Sequence, residues 1–223
     1  MCCVGARHLI DLSILINPGV NLSIANYFTF SRMIIAPLFL IIYMEHANLG
    51  ISDTLLPYVL LSLLAISELS DALDGFLARR YNQVTDLGKV LDPMADSIAR
   101  ISVFLTFTLE PVRLPMILIF ILLYRDSVVS TLRTICALKG YTLAARTSGK
   151  IKAVVQGFSA LLVLLLMIPH SMGYLSTESL HTAGTAIVSV AAIYTVYSGI
   201  EYIYANWHYI AKFLWIEQSL NKS

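Results

Sequence analysis

The sequence predicts an all-α membrane protein, a six-transmembrane-helix bundle with a short N-terminal interfacial helix. Of its 223 residues, 57% are hydrophobic and 13% are charged, which is more apolar than a soluble domain of this length. Apolar segments recur along the chain, and their lengths are close to the roughly 20 residues that a helix needs to cross the hydrocarbon core. The predicted spans cover residues 27–44, 55–74, 88–109, 112–132, 154–168 and 182–204.

The segment before the first span mixes apolar residues with Arg7, His8 and Asp11, and Pro18 and Gly19 separate it from that span. Such a mixture favours a helix that lies on the membrane surface. We therefore expect three parts: a juxtamembrane segment at 1–25, a transmembrane domain at 26–206, and a cytoplasmic tail at 207–223.

Basic residues concentrate in alternate loops. Arg79, Arg80 and Lys89 follow the second span, and Lys139, Arg146, Lys150 and Lys152 follow the fourth. Because positive residues favour the cytoplasmic side, both termini and these loops are predicted to be cytoplasmic. We expect a multi-pass protein. The short loops and the lack of a transit peptide favour a bacterial inner membrane as its location. The formal charge of +1 gives no indication of nucleic-acid binding.

Four aspartates lie within one stretch, DALDGFLARRYNQVTDLGKVLDPMAD, which starts at Asp71. Asp71 and Asp74 are three residues apart, and Asp92 and Asp96 are four apart, so on helices each pair shares a face. If the two helices form an antiparallel hairpin around residues 80–88, both pairs converge at the cytoplasmic end of the bundle.

Four converging carboxylates repel one another, and charges in a membrane are costly, so a divalent cation is needed to hold them. Hard oxygen ligands suit magnesium, manganese or calcium rather than zinc, and two ions would match chemistry at a diphosphate. An isolated pair of acids would more often be a solvated helix end. Gly75 is open to two interpretations, a helix-packing glycine or a close approach of nucleotide to backbone.

The pattern D-x-x-D-G-x-x-A-R-x8-G-x3-D-x3-D resembles the signature of the CDP-alcohol phosphotransferase family. That resemblance implies a homodimeric six-helix enzyme that displaces CMP from a CDP-alcohol and uses Mg²⁺ or Mn²⁺, with two ions expected. It implies that Asp71, Asp74, Asp92 and Asp96 ligate the metal. It also implies that Asp96 and Asp92 are catalytic, with Asp96 as the base toward the acceptor hydroxyl. It also implies a CDP site formed by Asn26, Thr29, Asp74, Gly75, Ala78, Arg79 and Gly88.

Within that family the chain is similar to the members that join CDP-diacylglycerol to glycerol 3-phosphate. The stretches NYFTFSRMIIAP, RDSVVSTLR, GKIKAVVQ and SGIEY carry this similarity. One position departs from it, because Ser97 stands where that group usually has lysine. Acceptors of the serine, inositol phosphate or choline type are therefore the alternatives to glycerol 3-phosphate.

Four cations are candidates for binding the acceptor's phosphate: Arg125, Arg133, Lys150 and Lys152. A phosphate monoester needs such a cationic pocket, whereas a neutral alcohol does not. Loop charges are the alternative interpretation of the two lysines. Arg125 is equally explained as a partner of Asp126 or Glu68. Arg133 ends an apolar helix, so its guanidinium must find an anion or reach the membrane surface.

Two further expectations concern the function class and the last span. A divalent-cation transporter would carry acids near the middle of several spans, whereas here they cluster at one end of one hairpin.

The aromatic residues of the last span are predicted to be interfacial anchors. They are Tyr194, Tyr197, Tyr202, Tyr204 and Trp207.

Overall fold

The computed structural model describes residues 24–80, 86–138 and 147–208, with side chains for 31–70, 94–136 and 147–208. This part of the chain forms six helices and no strand, which confirms the predicted all-α class. The predicted interfacial helix and most of the C-terminal tail lie outside it. The helices are α1 (Ile24–Glu45), α2 (Leu56–Arg80), α3 (Asp86–Thr106), α4 (Met116–Leu138), α5 (Thr147–Ser171) and α6 (Thr177–Ala205).

Several helices differ from the predicted spans at their ends. Helix α2 continues to Arg80, and α5 begins at Thr147, seven residues before the predicted apolar start. Charged residues end an apolar span, but backbone hydrogen bonds continue a helix whatever the polarity of its side chains. Helix α6 begins earlier than predicted because Ser176 caps it, its hydroxyl accepting from the Ser179 amide at 3.2 Å.

The bundle core draws buried residues from all six helices, and three phenylalanines meet within it. Helix α1 packs against α2 and α3, α5 against α2, α3 and α6, and α4 against α3 and α6. Phe107 contacts Phe39 and Phe104 edge to face, with ring centroids 6.4 and 6.3 Å apart. This cluster fixes α1 against the end of α3 and thereby positions the polar residues that lie earlier in α3.

Replacing Phe107 with alanine is expected to lower the free energy of unfolding by about 3 kcal/mol, because the fully buried ring leaves a cavity. Thermal unfolding in detergent, followed by circular dichroism, measures this loss. Phe120→Ala is the matched control, since the Phe120 side chain is 56% exposed. Equal destabilisation by the two variants would contradict the assignment of Phe107 to the core.

Helices α5 and α6 are long and apolar enough to cross a membrane. Their 25 and 29 residues correspond to about 37 and 43 Å, more than the roughly 30 Å of a hydrocarbon core. Less than half of each apolar window is buried, and side chains such as Val154 and Ile193 face outward with about 70% exposure. Water would disfavour such a surface, whereas lipid would not.

Candidate active site

A cavity of about 270 Å³ lies at the end of the bundle where α4 and α6 end and α5 begins. Among its lining residues five are cationic and one is acidic. The cavity therefore suits an anion of more than one charge. Its lining residues are Ser97 and Arg100 of α3, Arg125, Asp126, Val129, Ser130 and Arg133 of α4, Gly149, Lys150, Lys152 and Ala153 of α5, and Tyr202 of α6.

The structure brings together all four cations that the sequence proposed for the acceptor phosphate. Arg125 and Arg133 are eight residues apart on one face of α4, and Lys150 and Lys152 lie in the first two turns of α5. The interpretation of the two lysines as loop charges is wrong, because both belong to a helix. Lys152 is also buried, with 6% exposure.

A buried ion network forms one wall of the cavity. The Lys152 ammonium donates to both Asp126 carboxylate oxygens, at 2.6 and 2.8 Å. Arg125 donates to Asp126 at 3.2 Å and to the Ser198 hydroxyl of α6 at 2.7 Å. Arg125 thus pairs with Asp126, the first of its two predicted partners. One carboxylate shared by two cations leaves net positive charge at the cavity wall and fixes its position.

Gly199 of α6 leaves room for the Arg125 side chain to pack against this helix. A Cβ atom at position 199 would lie 2.9 Å from Arg125 Cγ, closer than such atoms pack. A larger residue at position 199 would therefore displace the arginine from the cavity wall. The glycine is needed here for close approach between helices rather than for backbone flexibility.

Arg133 and Tyr202 also line the cavity. The Arg133 guanidinium lies over the Tyr202 ring, 5.9 Å from its centroid. Tyr202 is 2% exposed, so the prediction that it is an interfacial anchor is wrong. It shares the inward face of α6 with Ser198 and Thr195, whereas Tyr197 and Tyr204 face outward.

Asp96, the candidate base, lies between two arginines. Arg32 of α1 donates from Nη1 to Asp96 Oδ1, and Arg100 Nη2 is 3.5 Å from Oδ2. Arg100 also lines the cationic cavity, so Asp96 lies next to it. Sequence reasoning missed Arg100. Its position four residues after Asp96, as a further charge inside an apolar span, was a usable signal.

The other three acids are placed by the backbone alone. Asp71 and Asp74 belong to α2 and Asp92 to α3, and their side chains lie outside the described part of the chain. The same holds for the side chains of the proposed CDP site. They are Asn26, Thr29, Asp74, Gly75, Ala78, Arg79 and Gly88.

The relative register of α2 and α3 can be read from a small cavity that Glu68 and Arg100 both line. Glu68 lies 12 residues before the end of α2, and Arg100 lies 14 residues after the start of α3. A parallel arrangement would separate those two ends by about 39 Å, and the five residues between them span at most roughly 20 Å. The two helices are therefore antiparallel.

This register places the two acidic pairs at similar levels. Asp71 and Asp74 lie about 4.5 and 9 Å beyond Glu68 along α2. Asp96 and Asp92 lie about 6 and 12 Å from Arg100 along α3, in the same direction. The antiparallel order is that of the predicted hairpin, while convergence of the two acidic pairs stays a prediction. Within the residues whose side chains are described, no group of three or more His, Cys, Asp or Glu comes together, so metal binding remains a prediction.

An apolar groove of about 470 Å³ runs between α2 and α5. Leu61 and Leu64 of α2 and Phe158 and Leu161 of α5 line it, and Glu68 and Arg100 form its polar part. Gly157 of α5 has no side chain at this level. A Cβ atom added there would lie 3.6 Å from the Glu68 carboxylate. The groove therefore combines an apolar surface with charged groups one turn from Asp71 and Asp96.

The sequence profile of CDP-alcohol phosphatidyltransferases matches residues 22–197. The chain belongs to the CDP-alcohol phosphatidyltransferase family. The matched segment contains the four aspartates and the four predicted cations, and the resemblance inferred from the motif is confirmed. Together with the two apolar helices α5 and α6, membership makes this transferase a membrane protein.

Curated relatives cover most of the transferase. The CDP-diacylglycerol–glycerol-3-phosphate 3-phosphatidyltransferase of Bacillus subtilis is 31% identical over 194 residues, 83% of this chain and 95% of the relative. The protein of that name from Rickettsia felis is 27% identical over 83% of this chain and 96% of its own length. A probable phosphatidylglycerophosphate synthase of Mycobacterium tuberculosis (strain H37Rv) is 28% identical over 81% of this chain and 80% of its own.

Proposed function

We propose that this chain transfers the phosphatidyl group of CDP-diacylglycerol to glycerol 3-phosphate, giving phosphatidylglycerol phosphate and CMP. The observation that carries the proposal is the cavity with five cations beside Asp96. Serine or choline would place no phosphate there, so the positive charge that Asp126 and Asp96 leave unbalanced would have no anion. The names of the relatives in three bacterial genera support the same acceptor.

The acidic pairs are proposed to hold Mg²⁺ or Mn²⁺, with two ions. The fit rests on four carboxylates at matching backbone levels and on the oxygen donors that these ions prefer. Bound metal supplies compensation for the charge that builds on the diphosphate as CMP leaves. Asp71, Asp74, Asp92 and Asp96 are its proposed ligands, and the cytidine diphosphate is proposed to lie along Asn26, Thr29, Gly75, Ala78, Arg79 and Gly88.

The groove between α2 and α5 is proposed to receive the acyl chains of the donor lipid. Its walls are mainly apolar, and its polar part at Glu68 lies one turn before Asp71. A lipid seated there would bring its diphosphate to the level of the acids. The donor would then lie against α2 and α3, and the acceptor in the cationic cavity.

Asp96 is proposed to accept the proton of the primary hydroxyl of glycerol 3-phosphate. That oxygen forms a bond to the phosphatidyl phosphorus, and the bond from this phosphorus to the CMP oxygen breaks. Arg32 and Arg100 orient the Asp96 carboxylate from two sides. The cavity cations hold the acceptor's phosphate, which positions the hydroxyl for attack.

The proposal also covers the architecture: a homodimer in which each chain has six membrane spans and a surface helix at 1–25. The site and both termini are proposed to be cytoplasmic. Alternating basic loops support the orientation. The bacterial relatives support a bacterial inner membrane. The six helices, of which α5 and α6 are long and apolar enough to cross a membrane, support the multi-pass arrangement.

The purified transferase, given CDP-diacylglycerol and Mg²⁺ in detergent, is expected to convert labelled glycerol 3-phosphate to lipid. Serine and choline, tested in parallel, are expected to give less than about a hundredth of that rate, because they bring no phosphate to the cationic cavity. Inositol phosphate, also a phosphate monoester, is expected to react more slowly than glycerol 3-phosphate because its ring is bulkier than a three-carbon chain. Thin-layer separation of the labelled lipid and CMP release measure the reaction. Preferred use of another acceptor would contradict the proposal. CMP release without a membrane gradient separates an enzyme from a cation transporter.

A further inference from the structure

We infer that Gly149 is a specificity-determining residue of the cationic cavity, because the missing side chain lets the bound acceptor lie directly against the backbone of α5. The inference rests on the proposed function and adds to it a residue that neither the acidic motif nor the cationic set contains. Gly149 lies in the first turn of α5, immediately before Lys150.

The first observation is that a molecule in the cavity can reach Gly149. The residue lines the cavity and is half-buried rather than enclosed. Since glycine has no side chain, only its backbone atoms can form this part of the wall. The backbone of α5 is therefore open to a cavity that five cations line.

The second observation comes from comparison with the other glycines. Of the six glycines whose surroundings the structure describes, five have either a special backbone conformation or a close neighbour. Gly50 and Gly173 have positive φ angles of 72° and 81°, which favour glycine over other residues. A Cβ atom at Gly157, Gly184 or Gly199 would lie within 3.6 Å of a neighbouring side chain.

Gly149 has neither feature. Its backbone is helical, and apart from its own turn of helix no described atom lies within 4 Å of its Cβ position. Alanine is more favourable than glycine in a helix, so the fold alone would be better served by alanine here. The space that the protein leaves beside this part of the cavity wall is available to the bound molecule. The acceptor is therefore the group that needs the missing side chain.

The test replaces Gly149 with alanine and with valine. The KM for glycerol 3-phosphate is expected to rise about 10-fold in Gly149→Ala and at least about 100-fold in Gly149→Val, because added methyl groups overpack a filled site. The KM for CDP-diacylglycerol should stay the same. Without substrates, the thermal midpoint of Gly149→Ala should equal or exceed that of the unmodified protein, since alanine favours the helix. Weaker acceptor binding without lower stability separates crowding of the acceptor from damage to the fold.

Gly184→Ala is the matched control, because Gly184 is also helical but lies about two turns after the start of α6, at the end remote from the cavity. It should leave both KM values unchanged. The inference would be overturned by an unchanged KM for glycerol 3-phosphate in either Gly149 variant, by equal increases in both KM values, or by a lower thermal midpoint of Gly149→Ala. If the unmodified protein used a different acceptor, the proposed function would fail, whereas the KM for that acceptor would still test the inference.

Discussion

The variant Asp92→Asn is expected to lose at least about 100-fold in the rate of CMP release while remaining folded. Asparagine keeps the size of the side chain but removes the negative charge that a divalent ion requires of its ligand. Asp92 lies one turn before Asp96 on α3, close to the backbone level of Asp74 on α2. The measurement is CMP release from CDP-diacylglycerol with saturating glycerol 3-phosphate and Mg²⁺.

The matched control is Asp53→Asn, in the turn between α1 and α2, whose side chain is 87% exposed. It should release CMP at the normal rate. A second measurement does not depend on turnover: Mn²⁺ is expected to raise the thermal midpoint of the unmodified protein and of Asp53→Asn, but less for Asp92→Asn, since a bound ligand stabilises the folded state. Normal turnover by Asp92→Asn would show that the acidic motif does not serve as a metal site.

The helices were predictable because an apolar segment long enough to enter a membrane must satisfy its backbone hydrogen bonds within itself, as a helix does. Their ends were not. Lys150 and Lys152 are charged and were placed outside the fifth span, yet α5 begins at Thr147 and carries both into the cavity wall. Hydropathy identifies the apolar part of a helix. Where the helix ends depends on capping and on tertiary contacts such as the Lys152–Asp126 pair.

The cations of the site were predictable because a charge in or beside an apolar helix needs a reason. Tyr202 was not, because α6 is apolar on all sides and its pattern does not show which face is inward. The small residues of α6 were the overlooked signal. Gly184, Ala191, Thr195 and Ser198 recur every three to seven residues on its buried face, and Tyr202 is one turn further.

The variant Arg133→Ala is expected to raise the KM for glycerol 3-phosphate about 10- to 100-fold and to leave the KM for CDP-diacylglycerol unchanged. The loss corresponds to one or two charge-assisted hydrogen bonds to phosphate. Arg133 is exposed at the cavity edge, whereas Arg125 and Lys152 are held by Asp126. Removing Arg133 therefore leaves the buried network intact. Steady-state rates with each substrate varied in turn measure both constants.

Arg113→Ala is the matched control, because Arg113 is also exposed but pairs with Glu110 at the opposite end of the bundle. It should change neither constant. Arg133→Lys is expected to be intermediate, since it keeps the charge but loses the planar fork that binds two phosphate oxygens. Equal increases in both KM values for Arg133→Ala would mean that the arginine supports the fold or the donor site. A change confined to the acceptor would locate its phosphate beside Arg133, with the primary hydroxyl directed toward Asp96.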